Sequence, residues 1–197
     1  MSKPEPVADS ARKRQSSIAG PLPPESDFWV FGYASLMWKP GFEFVEQQRG
    51  ILRGFHRALC VYSHRHRGTL ERPGLVMGLD RGGSCRGMAF RVAPEKVAET
   101  HAYLTEREQI NRVYFEVYPN IRLEDGRAIR ALAYVVDRSH RQYAGRLSHA
   151  EIIRLIEQGE GQSGACREYV LNTLHCIAAM GMTDHALDWL ERALSAR

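Results

Sequence analysis

Apolar and polar positions change period several times along the chain, and each change marks an element. Trp29-Val30-Phe31 is an apolar run that passes into Gly32-Tyr33-Ala34-Ser35, which predicts a buried strand ending in a turn of small residues. From Arg49, Ile51, Phe55, Leu59 and Val61 are interleaved with Arg53 and Arg57, the alternation of a long half-buried strand. His64-Arg65-His66-Arg67-Gly68 breaks it. Leu75 to Leu79 and Met88 to Val92 are two shorter runs on either side of Arg81-Gly82-Gly83-Ser84, which predicts a hairpin. After Pro94-Glu95, the spacing of Val97, His101, Leu104 and Glu108 predicts a helix with these four close to one face. Glu124-Asp125-Gly126-Arg127 joins β-rich runs at Tyr114 to Leu123 and Ala128 to Val136, so these runs are expected to pair. Ile152, Ile153, Leu155 and Ile156 predict a helix ended by Gly159, and two more helices follow at about 166–180 and 184–194. Strands, one inserted helix, a hairpin and terminal helices without a βαβ rhythm make an α+β pattern.

With 197 residues, 44% of them hydrophobic and 25% charged, the chain is sized for one domain with a good core. Residues 1–26 carry Pro4, Pro6, Pro21, Pro23 and Pro24 with Arg12-Lys13-Arg14 and few apolar positions. A disordered tail is expected there, ahead of a domain over 27–197. No apolar stretch has the length of a membrane span and no secretory signal pattern opens the chain, so a cytoplasmic protein without a membrane partner is expected. Cys60, Cys85, Cys166 and Cys176 are scattered without a C-x-x-C pair, which points to reduced thiols rather than zinc or disulfides. The net charge of +4 is spread along the chain. That argues against a nucleic-acid face and favours an anionic small molecule.

Candidate chemistry is sparse. The turn at Gly32 to Ser35 reads either as an ordinary core turn or as a loop whose small side chains let backbone N–H groups approach a ligand. Glu108, on the inward stripe of its helix, is either paired, neutralised or used there, or points to solvent near the helix end. The pair His64 and His66 lacks an evident third ligand, so a solvated loop is the simpler reading and no metal is expected. Gly159 to Gly164 spells G-x-G-x-x-G but follows a helix rather than a strand, which excludes a dinucleotide site.

The run FGYASLMWKP at Phe31 to Pro40 resembles the signature FGYGSL-(I/M)-W-(K/R)-P of the ChaC family of γ-glutamylcyclotransferases, cytosolic enzymes that cleave glutathione to 5-oxoproline and cysteinylglycine. Tyr103 to Gln109 resembles the family's Y-L-x-x-R-E-(K/Q) segment, whose Glu is the acid/base and falls on Glu108. Gln142 to Ser148 is similar to its Y-x-G segment, and Gly161-Gln162-Ser163-Gly164 to its G-x-S-G. The resemblance spans roughly residues 28 to 185. It implies the γ-glutamylcyclotransferase fold, a small β-barrel with surrounding helices. It also implies glutathione as substrate, no cofactor, Glu108 as catalytic residue, and Gly32, Tyr33, Ala34, Ser35, Leu36, Met37 and Tyr143 around the substrate. For Tyr143 the residues alone leave a tyrosine packed at the core edge equally open. Two departures stand out. Ala34 replaces a Gly and is expected in right-handed or extended backbone. Ile110-Asn111-Arg112 replaces a Gly-Gly-Tyr, so that the next tyrosine is Tyr114. Arg53, Arg112 and Arg146 are candidates for a substrate carboxylate. A cyclotransferase for another γ-glutamyl amine, or a non-catalytic binding or regulatory protein of the same fold, are the alternatives.

Overall fold

The computed structural model describes residues 27–108 and 112–195. The predicted tail over 1–26 and the departure at Ile110-Asn111 lie outside the described residues. In chain order the elements are β1 (Phe28–Gly32), a 3-10 turn (Ser35–Met37), β2 (Glu46–Ser63), β3 (Gly74–Val92), α1 (Val97–Glu108), β4 (Tyr114–Val117), β5 (Asn120–Leu123), β6 (Ala128–Arg130) and β7 (Ala133–Val136). After them come α2 (His149–Gln158), β8 (Glu160–Gly161), β9 (Gly164–Ala165), α3 (Cys166–Ala179) and α4 (Asp188–Ser195).

The predicted hairpin between Leu75 and Val92 does not form. β3 is one strand of 19 residues that runs antiparallel to β2 along nearly all of both. The Gly82-Gly83 pair makes a bulge instead of a turn. Gly82 and Gly83 have φ of 97° and 70°, and the register jumps there from Arg53↔Ser84 to Phe55↔Arg81. Extra residues in one strand at glycines with positive φ bend a ladder without reversing it. The hairpin around Asp125-Gly126 does form: β5 pairs with β6 and β4 with β7, both antiparallel.

β2 and β3 are the backbone of the sheet, whose order is β4-β7-β3-β2-β5-β6 with β1 paired to β3. A single isolated bridge, Val30 with Leu132, links β1 to the β6–β7 chain. Since β4 and β6 end the ladder without pairing to each other, the sheet does not close into the expected small β-barrel. The α+β class stands; the closure does not.

α2 and α3 pack on each other and on β3. The start of α2 is set by Ser148, whose hydroxyl accepts from the Glu151 N–H while the Glu151 carboxylate accepts from the Ser148 N–H, a reciprocal cap that satisfies two otherwise orphaned donors. Apolar residues of β1, β2, β3 and the three C-terminal helices form one core, with Trp29, Phe31, Leu52, Leu75 and Leu190 fully enclosed. Arg57, interleaved with apolar positions in the sequence, is inside that core at 2% exposure.

Candidate active site

A cavity of about 380 Å³ lies between the turn after β1, the far end of β2 with its following loop, the start of β3, the end of α1 and the start of α3. Tyr33, Ala34, Ser35 and Leu36 form one wall, and Arg107 and Glu108 reach it from α1. Two motifs more than sixty residues apart in sequence thus share one space, as the resemblance implies.

Gly32 and Met37 do not line the cavity. Gly32 is needed for closeness, since a Cβ there would stand 2.9 Å from the Leu36 Cβ, so the absence of a side chain lets the turn fold back on β1. Met37 is buried and faces away, its Sδ 3.8 Å from Arg57 Nη2. Ala34 has φ −139° and ψ −124°. Its φ is negative, so the left-handed conformation that favours glycine is not required, although ψ belongs to neither of the two expected regions.

Tyr143, expected around the substrate, does not line the cavity. Its hydroxyl donates to Asp80 Oδ2 at 2.8 Å, where Arg138 also binds, and burial together with the Asp80 contact pushes its pKa up to about 12. Its ring packs with Cys60, Val61 and Val136, the core-edge alternative that the residues left open. Gln142, one position earlier, faces the cavity instead.

Glu108 is the carboxylate of the site. Its side chain is 19% exposed and its Oε1 lies 3.1 Å from Arg107 Nε. Burial pushes its pKa above the ordinary carboxylate range, while Arg107 pulls the other way without winning. Glu106 is exposed on the other side of α1.

Arg107 was not singled out by its place in the sequence, yet it ties the site together. Besides Glu108, it donates to Ser35 Oγ at 2.9 Å, to the Tyr103 hydroxyl at 2.9 Å and to the carbonyls of Lys39 at 2.8 Å and Pro40 at 3.2 Å. The planar fork of a guanidinium suits such divergent acceptors.

The back wall is aromatic. Tyr114 donates to the Met77 carbonyl at 3.0 Å, and the Met77 N–H donates to the Tyr169 hydroxyl at 3.1 Å. Side chains here satisfy main-chain groups of β3 that no strand reaches. Burial raises the pKa of Tyr33, Tyr114 and Tyr169, so all three stay protonated around Glu108. The tyrosine displaced to position 114 does reach the cavity.

Arg67 and His66, from the loop after β2, line the cavity, and the loop is solvated as expected, with Arg65 and His66 exposed. Arg67 Nη1 donates to the Ala165 carbonyl at 3.1 Å, and its guanidinium sits 5.5 Å from the Tyr169 ring centre. His66 Nδ1 is 3.0 Å from Ser163 Oγ. Burial first, then the charges of Arg65, Arg67 and Arg107, hold the His66 pKa below its ordinary value. Gly164 has φ +92°, and a Cβ there would stand 3.3 Å from Arg67 Nη1. The G-x-S-G resemblance was the available signal for this corner. Arg53, Arg112 and Arg146 are exposed and outside the cavity lining. Among the described residues no three His, Cys, Asp or Glu side chains gather as a metal site would require.

The enclosure therefore holds a carboxyl with raised proton affinity, two guanidinium groups and a wall of backbone bearing small side chains. It can bind an anionic molecule and move a proton within it. A family model described as ChaC-like protein matches residues 28–197. The chain is 34% identical over 182 residues to the Escherichia coli (strain K12) glutathione-specific γ-glutamylcyclotransferase, covering 91% of this chain and 79% of that one. It is 33% identical over 192 residues to glutathione-specific γ-glutamylcyclotransferase 1 of Danio rerio, covering 93% and 95%. A solved structure of a γ-glutamyl cyclotransferase specific to glutathione from yeast superposes with a TM-score of 0.80 at 23% identity, over 87% of this chain and 97% of that one, a likeness of fold.

Proposed function

Because the chain belongs to the ChaC-like protein family, we propose that it is a γ-glutamylcyclotransferase that converts glutathione to 5-oxoproline and cysteinylglycine, with Glu108 as general acid and base. The observation that carries the reading is the meeting of the Glu108 carboxyl and the Tyr33–Leu36 turn across one cavity. The curated relatives, named for this activity, supply the substrate class.

In this reaction the α-amine of the γ-glutamyl group attacks its own γ-carbonyl carbon. A C–N bond closes the five-membered lactam, the original amide C–N bond breaks, and cysteinylglycine leaves as its amine. The amine gives up a proton and the leaving nitrogen gains one, so neither water nor redox chemistry enters the balance. Holding both ends of a flexible substrate in reacting geometry is worth roughly 7–11 kcal/mol at best.

An ordinary Glu with a pKa near 4.3 facing an amine near 8 is mismatched by about 3.5 units, or about 5 kcal/mol. Enclosure narrows that gap from both sides, because burial raises the proton affinity of Glu108 and disfavours the ammonium form of the substrate. Glu108 then takes the amine proton and returns one to the leaving nitrogen. Backbone N–H groups of Tyr33 to Leu36 stabilise the oxyanion, about 3–4 kcal/mol for a well-placed donor. Arg67, Arg107 and Lys39 line the cavity and are the cations in reach of the substrate's carboxylates.

We place the enzyme in the cytoplasm, where Cys60, Cys85 and Cys166, buried and unpaired, stay reduced. Among the described residues no helix is long and apolar enough to cross a membrane. The test is incubation with glutathione and measurement of 5-oxoproline and cysteinylglycine. Release of both in equal amounts is expected, and no release under conditions where the protein is folded would overturn the reading.

A further inference from the structure

Arg57 is an enclosed charge that the chemistry above does not use. Its side chain is 1% exposed and pairs with Asp184 from the segment between α3 and α4. Its remaining donors are engaged on the strand and loop around it. Nε donates to the Tyr33 carbonyl, and Nη2 donates to the Arg86 carbonyl at 2.6 Å and lies 3.8 Å from Met37 Sδ. A guanidinium taken out of water persists only when its charge and its N–H groups are all satisfied. Here two of its partners, Tyr33 and Met37, belong to the turn that borders the cavity.

The grip on Tyr33 has a stereochemical consequence. Among the described residues there are no cis peptides, so the carbonyl of Tyr33 and the N–H of Ala34 point in opposite directions within one peptide plane. Arg57 holds that carbonyl from the core and is not part of the cavity wall, whereas Tyr33, Ala34 and Ser35 are. The Ala34 N–H is therefore turned from Arg57 towards the cavity. Among the described residues it donates to no backbone oxygen, although Ala34 is only 8% exposed. Buried N–H groups without an acceptor are rare, and one beside a cavity is available to a ligand.

We propose that Arg57, held by Asp184, is a positioning residue that fixes the Tyr33–Ala34 peptide so that the Ala34 N–H faces the substrate oxygen. The proposal rests on reading the turn as the ligand-binding loop of a cyclotransferase. Without the grip the peptide is free to rotate, and its other orientation would present the Tyr33 carbonyl to the developing oxyanion, where it repels instead of donating. Asp184 extends the device to the C-terminal helices, since the Leu187 N–H donates to the Asp184 carbonyl at 2.8 Å and Leu187 is in the core.

Arg57→Lys retains the charge but loses the fork that reaches Tyr33, Arg86 and Asp184 together; Asp184→Asn retains shape and removes the counter-charge. Each is compared with the wild type by melting temperature, by kcat and KM for glutathione well below the melting point, and by a crystal structure of the turn. The expected result is a kcat lowered about tenfold or more with KM within threefold, and a Tyr33–Ala34 peptide that is rotated or split between two orientations. A folded variant with kcat within twofold of wild type and an unmoved peptide would overturn the proposal, and a lower melting temperature alone would make Arg57 a purely structural group. Should Arg57→Lys fail to fold, the same readouts on Asp184→Asn decide. If the wild type releases no 5-oxoproline, the cyclotransferase reading fails by itself, and the orientation of the peptide in the variant crystals still decides the role of Arg57.

Discussion

Arg107 Nη2 donates to Ser35 Oγ at 2.9 Å across a separation of 72 residues, while Nε of the same guanidinium lies 3.1 Å from Glu108 Oε1. One side chain therefore holds the turn and the carboxylate in a fixed relation. It also opposes the burial that raises the Glu108 pKa. Arg107→Gln, neutral and shorter, should move the acidic limb of the kcat profile to higher pH and lower kcat at pH 7 by about tenfold, the scale of one charge-assisted hydrogen bond. A limb that stays in place would separate Arg107 from the titration of Glu108.

The direction of the Glu108 shift also bears on stability. A carboxyl whose folded pKa is raised contributes stability that is fully present below its unfolded value of about 4.3 and is lost as pH rises through the folded value. The groups facing it are the Arg107 cation and Tyr33, Tyr114, Tyr134 and Tyr169, and burial keeps these tyrosines protonated through the window concerned. Glu108→Gln should thus melt at a higher temperature than wild type at pH 7, with the gap closing below about pH 4. Thermal melts from pH 3.5 to 8 check this; a gap that widened towards acid would reverse the assignment of the shift.

Selectivity should depend on Arg67, half inside the cavity mouth at 17% exposure. Glutathione is expected to be turned over far better than γ-glutamyl-alanine, because its glycine carboxylate, one residue further from the γ-amide than the alanine carboxylate, reaches this cation. Arg67→Ala should raise KM for glutathione roughly tenfold with a smaller effect on kcat, the cost of losing one charged partner. It should also reduce the preference over γ-glutamyl-alanine. Equal specificity constants for the two substrates in the wild type would contradict this.

Deletion of residues 1–25, a stretch with too few apolar positions to order itself, should leave the melting temperature and turnover nearly unchanged. A loss of either would show that this stretch contributes to the domain.

The sequence carried the strands, the helices and the central pair of motifs, because each is written in local periodicity or in a short contiguous run. Glu108 was legible as one of four inward positions on a helix, and the turn at Gly32 to Ser35 as small residues after an apolar strand. What could not be read depends on partners distant in sequence. Gly82-Gly83 has turn chemistry, and only pairing along the whole of β2 makes it a bulge. Arg57 looks like a solvent-facing strand residue until Asp184 and the Tyr33 carbonyl are brought to it. Tyr143 and Gln142 are adjacent, and which one faces the cavity is set by the Asp80–Arg138 pair that takes the Tyr143 hydroxyl. Arg53, Arg112 and Arg146 offer charge in the sequence, but the guanidinium groups at the cavity are those of Arg67 and Arg107, held there by Ala165, Ser35 and the Lys39 carbonyl.

The most direct measurement is 5-oxoproline release from glutathione by the wild type, Glu108→Gln and Glu106→Gln under one set of conditions. Gln keeps the shape and hydrogen-bonding ability of Glu but cannot take a proton from an ammonium. Turnover by Glu108→Gln should therefore fall at least ~10²-fold while 5-oxoproline still binds, and Glu106→Gln, exposed on the same helix, should match the wild type. Near-normal turnover by Glu108→Gln, with loss of activity in Glu106→Gln, would contradict the account.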